Sequence, residues 1–178
     1  MAKAWKVKGI QPRKSYRWNA QVILPVRVDE VYSWATSIRQ PDNIEALHDM
    51  RISVKRLRYS MEFFAVNYGG VFNAFLKVVE GLQELLGDIH DCDVRLQALT
   101  DYLQNLRGKS DASLCESESA YNPACGAVPI DAIGINSLIA RYREIREATY
   151  QSFLQKWDEL EQTDFKGQLL ETMGSCQK

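Results

Sequence analysis

The chain has 178 residues, of which 46% are apolar and 25% are charged. These values are ordinary for a globular protein and exclude disordered, collagen-like and disulfide-scaffold classes, while the length suits one domain with a well-buried core. No apolar run reaches the ~18 residues that cross a bilayer, and Met1 to Lys8 lead into no apolar signal core. We therefore expect a soluble, cytoplasmic protein without a membrane partner.

The net charge of −1 conceals an uneven distribution of charge along the chain. Seven Lys and Arg and no Asp or Glu precede Asp29, whereas the remainder holds 15 basic and 23 acidic residues. A basic segment ahead of an acidic body indicates an anionic partner. Residues 1–24 show no helical period, and we interpret them as a basic N-terminal arm with three interleaved aromatic residues: Trp5, Tyr16 and Trp18.

The rest of the chain, residues 25–176, is predicted to be an all-α antiparallel four-helix bundle. Asp42 or Asn43 can cap the second helix, and a segment rich in Ser, Asp, Gly and Pro predicts a long loop at about 108–130. The short segment Gln21–Pro25 is the one part of the chain whose pattern also fits a β-strand. The apolar periods place the helices at 25–40, 42–68, 71–108 and 131–161, with a short extension to 173.

A row of cations follows one side of the second predicted helix. Because an α-helix advances about 100° per residue, three cations share a sector of about 60° next to His48: Arg51, Lys55 and Arg58. We call these four residues the basic ridge. Apolar residues flank it on both sides, with Leu47, Met50, Val54, Leu57, Met61 and Phe64 on one and Ile52, Tyr59 and Phe63 on the other. The predicted polar back consists of Asp49, Ser53, Ser60 and Arg56.

The predicted polar back already provides the side of the helix that faces solvent. The basic ridge lies between two apolar flanks, so it is predicted to face inward and line a central groove. Like charges held there repel unless an anion neutralises them. Glu62, Asp91 or Asp93 would neutralise them from within the protein. An extended phosphate chain would do so from outside, since its oxygens suit the forked donors of Arg and the mobile charge of Lys. Two cations within the apolar stripe of the last helix either reach the surface or add to this site: Arg146 and Lys156.

The cysteines have no metal-binding or disulfide pattern, because none lies in a Cys-x-x-Cys pair. We expect reduced thiols, no metal site and no cofactor. A redox role stays open for the two cysteines of the predicted loop. The four cysteines are Cys92, Cys115, Cys125 and Cys176.

Two ordered motifs resemble those of the conserved histidine α-helical domain, called CHAD. The first is Leu47-His48-x-x-Arg51-x-x-x-Lys55-Arg56-Leu57-Arg58-Tyr59, and the second is Leu82-Gln83-x-x-Leu86-Gly87-x-x-x-Asp91-x-Asp93-Val94. The resemblance spans about 42–106 and implies an all-helical protein that binds inorganic polyphosphate in a basic central channel without catalysing a reaction. The ligands that it implies are His48, Arg51, Lys55, Arg56 and Arg58, with Asp91 and Asp93 as acidic partners that orient them.

The chain departs from the CHAD pattern in two respects. Family members usually contain two related four-helix halves with a basic motif in each, whereas this chain has one motif and room for one half. We therefore expect a homodimer to supply the second half. The family often has Arg immediately before the first Asp, and this chain has His90 there. Polyphosphate binding would also fit an association with polyphosphate granules in the cytoplasm.

Two other functions stand as alternatives. A metal-assisted phosphoanhydride hydrolase would use Asp88, Asp91 and Asp93 beside His90, although helical spacing scatters these carboxylates instead of converging them on a metal. A nucleic-acid-binding protein would use the aromatic and basic arm, since stacking rings among cations suit single strands. The acidic body offers no broad basic footprint for that function, and the arm would otherwise be a tail or pack on the bundle.

Overall fold

The computed structural model describes residues 3–114 and 130–175. Short 3₁₀ turns at Ser37–Arg39 and Ala65–Asn67 lie just before and just after the second helix. The described residues contain no strand, so the predicted all-α class is confirmed. The helices of these residues are α1 (Tyr16–Tyr32), α2 (Ile44–Phe64), α3 (Gly70–Leu114), α4 (Ile130–Gln162) and α5 (Phe165–Ser175).

The chain forms two compact units. The first comprises Met1–His90 and Thr149–Lys178, so it contains α1, α2, α5, the N-terminal part of α3 and the C-terminal part of α4. All five of these segments contribute apolar side chains to its core, in which the largest fully buried residues are Trp157, Tyr150, Phe72 and Phe153. The second unit, Asp91–Ala148, has a smaller core of Leu103, Ala132 and Ile139.

Contacts between opposite helix ends make α1 and α2 antiparallel. The hydroxyl of Tyr16, at the start of α1, donates to the carbonyl of Phe63, at the end of α2, with a distance of 2.5 Å. Farther along, Glu30 of α1 pairs with Arg56 of α2. The same pattern relates α2 to α3, through the pairs His48–His90 and Arg58–Glu80. An antiparallel arrangement is thus confirmed for α1, α2 and α3, and the described residues form five helices instead of four because the predicted short extension is a separate helix, α5.

Helix α1 begins nine residues before the predicted start and ends at Tyr32, eight residues before the predicted end at Gln40, so the predicted first helix was wrong at both ends. Ser15 caps the helix, and its hydroxyl accepts the backbone N–H of Trp18 at 3.1 Å. Pro25 lies inside α1, and the predicted strand signal at Gln21–Pro25 is helical. The buried stripe that stabilises these turns comprises Ala20, Leu24, Val28 and Val31.

The preceding part of the basic arm packs along α1. The backbone N–H and carbonyl of Gln11 both bond to the side-chain amide of Asn19, at 3.0 Å each. Nearer the N-terminus, Arg27 donates to the carbonyl of Trp5 at 2.9 Å, while the Trp5 side chain stays exposed. The arm is therefore fixed to the bundle through its backbone.

Helix α3 is continuous over 45 residues, so its predicted end at Gly108 was wrong. A glycine inside a helix is unfavourable by only about 1 kcal/mol relative to alanine, which is too little to end a long helix by itself. The remainder of the predicted loop, with Cys115 and Cys125, lies outside the described residues, as does Cys176; Cys92 is buried. Within the described ranges, we find no helix long and apolar enough to cross a membrane.

Candidate anion-binding site

The N-terminus and one face of α2 have the predicted structure. Asn43 is the N-cap, and its side chain accepts the backbone N–H of Ala46 at 3.1 Å. All members of the first predicted apolar flank are buried: Leu47, Met50, Val54, Leu57, Met61 and Phe64. This anchored face fixes the direction in which the basic ridge points.

Two residues on each of the other two faces of α2 have the opposite exposure to the one predicted. Asp49 and Ser53 of the predicted polar back are 7% and 0% exposed, whereas Tyr59 and Phe63 of the second apolar flank are 51% and 64% exposed. Ser53 can be buried because its hydroxyl accepts the indole N–H of Trp34 and donates to the carbonyl of Asp49, both at 3.1 Å. The predicted polar back was therefore wrong, and so was the prediction that packed apolar residues flank the basic ridge on both sides, since exposed aromatic rings lie on one side of it.

Arg56, one of the implied ligands, pairs with a buried carboxylate. Its Nη1 atom lies 2.6 Å from Oε1 of Glu30, whose side chain is 1% exposed. The other oxygen of Glu30 pairs with Arg27, the residue that holds the Trp5 carbonyl. Arg56 thus joins α2 to α1, and through Arg27 the same carboxylate is linked to the arm.

Arg58 is paired with carboxylates on its own helix and on α3. Its Nη2 atom lies 2.9 Å from Oε1 of Glu62, and its Nε atom lies 3.7 Å from Oε1 of Glu80. The predicted neutralisation by Glu62 is present. These pairs are partly exposed, so solvent weakens them and an incoming polyanion can compete with the carboxylates.

Arg51 and Lys55 differ from these paired cations. Among the residues that the structure describes, neither side chain has a carboxylate within ion-pair distance. Both are half-buried, and the Nζ atom of Lys55 lies 5.8 Å from the ring centroid of Tyr59. Four residues along an α-helix advance about 6 Å, so the two charges lie on adjacent turns of one face. This pair is the least neutralised part of the basic ridge.

The only two histidines of the sequence meet at the start of the basic ridge. The Nδ1 atoms of His48 and His90 are 3.4 Å apart, and the ring centroids are separated by 4.9 Å. His90 stands where the CHAD motif often has Arg. This contact was not predicted from the sequence, because the two residues lie on different helices and share no local pattern.

The remaining candidate residues are distributed over both units. In the second unit, Nε of Arg146 lies 2.5 Å from Oδ1 of Asp93, while Asp91 is exposed. In the first unit, Lys156 reaches the surface and pairs with Glu159 at 3.1 Å, which was one of its two predicted outcomes. Across residues 3–114 and 130–175, no three His, Cys, Asp or Glu side chains form a group that could hold a metal ion.

A family model for the CHAD domain matches residues 4–100, which is more than half of the chain. The chain belongs to the CHAD family. The CHAD match includes both motifs and most of the basic arm. CHAD domains are associated with polyphosphate binding, and the family generally binds ligands without catalysing reactions. No curated protein and no solved structure matches the chain.

Proposed function

We propose that this CHAD protein binds inorganic polyphosphate, without catalysis, through the exposed face of α2. The observation that carries the proposal is the pair of Arg51 and Lys55, which lie one turn apart and lack a carboxylate partner among the described residues. Two neighbouring cations repel each other, and one polyanion that contacts both relieves this repulsion. The phosphate chain presents repeated charges that can contact both side chains at once.

The other members of the implied ligand set have different roles in this proposal. Arg58 contributes a third contact when phosphate displaces Glu62, and His48 donates a hydrogen bond at the end of the basic ridge. Arg56 positions α2 through its ion pair with Glu30. Arg146 and Lys156 are already paired with carboxylates and would add to the binding only by exchanging them. Asp93 orients Arg146, with which it pairs, while the implied role of Asp91 and Asp93 in orienting the basic ridge stays a prediction.

Charge reversal tests the proposal. The Arg51→Glu/Lys55→Glu variant should bind polyphosphate more than about 100-fold more weakly, because two charge-assisted hydrogen bonds are lost. The matched control is Arg141→Glu/Arg143→Glu, which makes the same change in net charge at exposed positions of α4. Titration calorimetry gives the affinities, and circular dichroism checks the helix content. Equal affinity of the two variants would contradict the proposal.

We also propose that two copies of the chain associate to complete the site. The support is the single basic motif of this chain, where CHAD proteins usually carry two. Light scattering should show a dimer, at least when polyphosphate is bound, and a monomer in both states would contradict this. In cells, we propose a cytoplasmic protein that gathers on polyphosphate granules. A fluorescent fusion that stays diffuse in cells containing such granules would contradict that location.

A further inference from the structure

The cationic face of α2 continues into two exposed aromatic rings. Arg51, Lys55, Tyr59 and Phe63 follow one another at intervals of four residues, so they form one row on the helix surface. The row spans about 18 Å along the helix axis. Its first half carries the two cations without carboxylate partners in the described structure, and its second half carries rings that are 51% and 64% exposed. We call these four residues the mixed row.

The ring half of the mixed row is held in place by its surroundings. The ring of Tyr16 lies 5.2 Å from that of Phe63, and its hydroxyl donates to the Phe63 carbonyl. Tyr16 is itself 40% exposed and follows two exposed cations of the arm, Arg13 and Lys14. The Phe63 ring is therefore preorganised, while the Tyr59 ring lies 5.8 Å from Nζ of Lys55 and 5.7 Å from the guanidinium carbon of Arg58.

Inorganic polyphosphate makes no use of the rings, since it has no group that stacks on them. A packed interface between protein chains is depleted of charge at its centre, whereas here the rings directly continue a row of cations. Single-stranded nucleic acid carries both complementary groups, because its phosphates pair with Arg and Lys while its bases stack on aromatic side chains. Charge and ring chemistry together favour this ligand.

We propose that the mixed row binds single-stranded nucleic acid, with phosphates at Arg51 and Lys55 and bases stacked on Tyr59 and Phe63. The phosphate half rests on the function proposed above, and the stacking half is independent of it. This placement differs from the arm-based alternative, since the rings that contact bases lie on α2. Polyphosphate and nucleic acid would then compete for the same cations.

Replacing both rings by leucine distinguishes stacking of bases on the rings from general apolar contact with the ligand. In Tyr59→Leu/Phe63→Leu, the apolar surface and the helix propensity are largely kept while the π-faces are lost. We expect the affinity for a fluorescently labelled uridine oligonucleotide, measured by anisotropy, to fall at least about tenfold. The affinity for inorganic polyphosphate should fall much less, because the leucine variant removes only the contacts of the Tyr59 ring with Lys55 and Arg58, at 5.8 and 5.7 Å. The control Tyr102→Leu removes an exposed ring from α3 and should preserve both affinities.

Several results would overturn the inference. Failure of the native protein to bind the oligonucleotide, or equal oligonucleotide affinity in the native protein and the leucine variant, contradicts stacking. Equal loss of both ligands in the leucine variant would show that the rings support the helix instead of contacting bases. A changed oligomeric state with unchanged oligonucleotide affinity would assign the rings to an interface between copies. Failure of polyphosphate binding alone would overturn the function proposed above and leave the stacking result standing.

Discussion

Oε1 of Glu30 lies 2.6 Å from Nη1 of Arg56, and this carboxylate is almost completely excluded from solvent. A buried carboxylate needs a counter-charge, and Glu30 has two because Arg27 pairs with its other oxygen. The cations of α2 therefore divide into two groups. Arg56 and Arg58 pair with carboxylates, and Arg56 thereby holds the helix against α1, whereas Arg51 and Lys55 have no carboxylate partner among the described residues.

The Glu30 cluster should contribute strongly to stability. Glu30→Gln leaves both arginines without their carboxylate, and breaking a buried pair costs about 3–5 kcal/mol. Since the arginines are partly exposed, we expect the free energy of unfolding to fall by about 2 kcal/mol. Asp29→Asn is the matched control, because Asp29 is exposed and its pair with Lys166, at 2.7 Å, is solvated. Urea denaturation that gives the same loss for both variants would contradict this account.

Ionisation of Tyr32 should lower the free energy of unfolding at high pH. Burial, together with the nearby carboxylates of Glu161 and Asp164, raises the pKa of Tyr32 to about 12. An unfolded tyrosine ionises near pH 10, so the contribution of the neutral phenol is complete below about pH 10 and is lost as the pH rises towards 12. Allowing for solvent screening, we expect this residue to account for a loss of about 1 kcal/mol.

The Tyr32→Phe variant checks the origin of that loss. It keeps the ring that packs 5.0 Å from Trp157 but removes the ionisable hydroxyl. Its free energy of unfolding, measured by urea denaturation at about pH 9 and about pH 11, should decline less than that of the native protein. The same decline in both proteins would show that other groups cause it.

The positions of the helices followed best from the sequence where the spacing of apolar residues was regular and uninterrupted. The buried flank of α2 followed from the positions of residues such as Met50, Val54 and Leu57, because core packing selects that spacing. The start of α1 was misplaced because Pro25 resembles a first-turn residue. In the structure, Ser15 caps the helix, and buried apolar residues before and after Pro25 stabilise it on both sides of the proline.

The faces of α2 could be assigned only in part, since residue type does not reveal a tertiary partner. Ser53 looked solvent-exposed, yet its acceptor role for Trp34 depends on a segment 19 residues earlier in the chain. The pairs Glu30–Arg56 and His48–His90 likewise join different helices. The motif identified the cations of α2, and the structure separated the paired ones from Arg51 and Lys55.

The salt dependence of polyphosphate binding tests the central claim most directly, because the slope of log K against log[salt] reports how many phosphates are neutralised. Each contact on a single-stranded polyanion adds about 0.7 to the slope. Arg51→Ala/Lys55→Ala should therefore reduce the slope by about 1.4, while Arg56→Ala should keep the native slope. A native slope in the double variant, or an equal reduction in Arg56→Ala, would contradict the claim that Arg51 and Lys55 bind the phosphate chain.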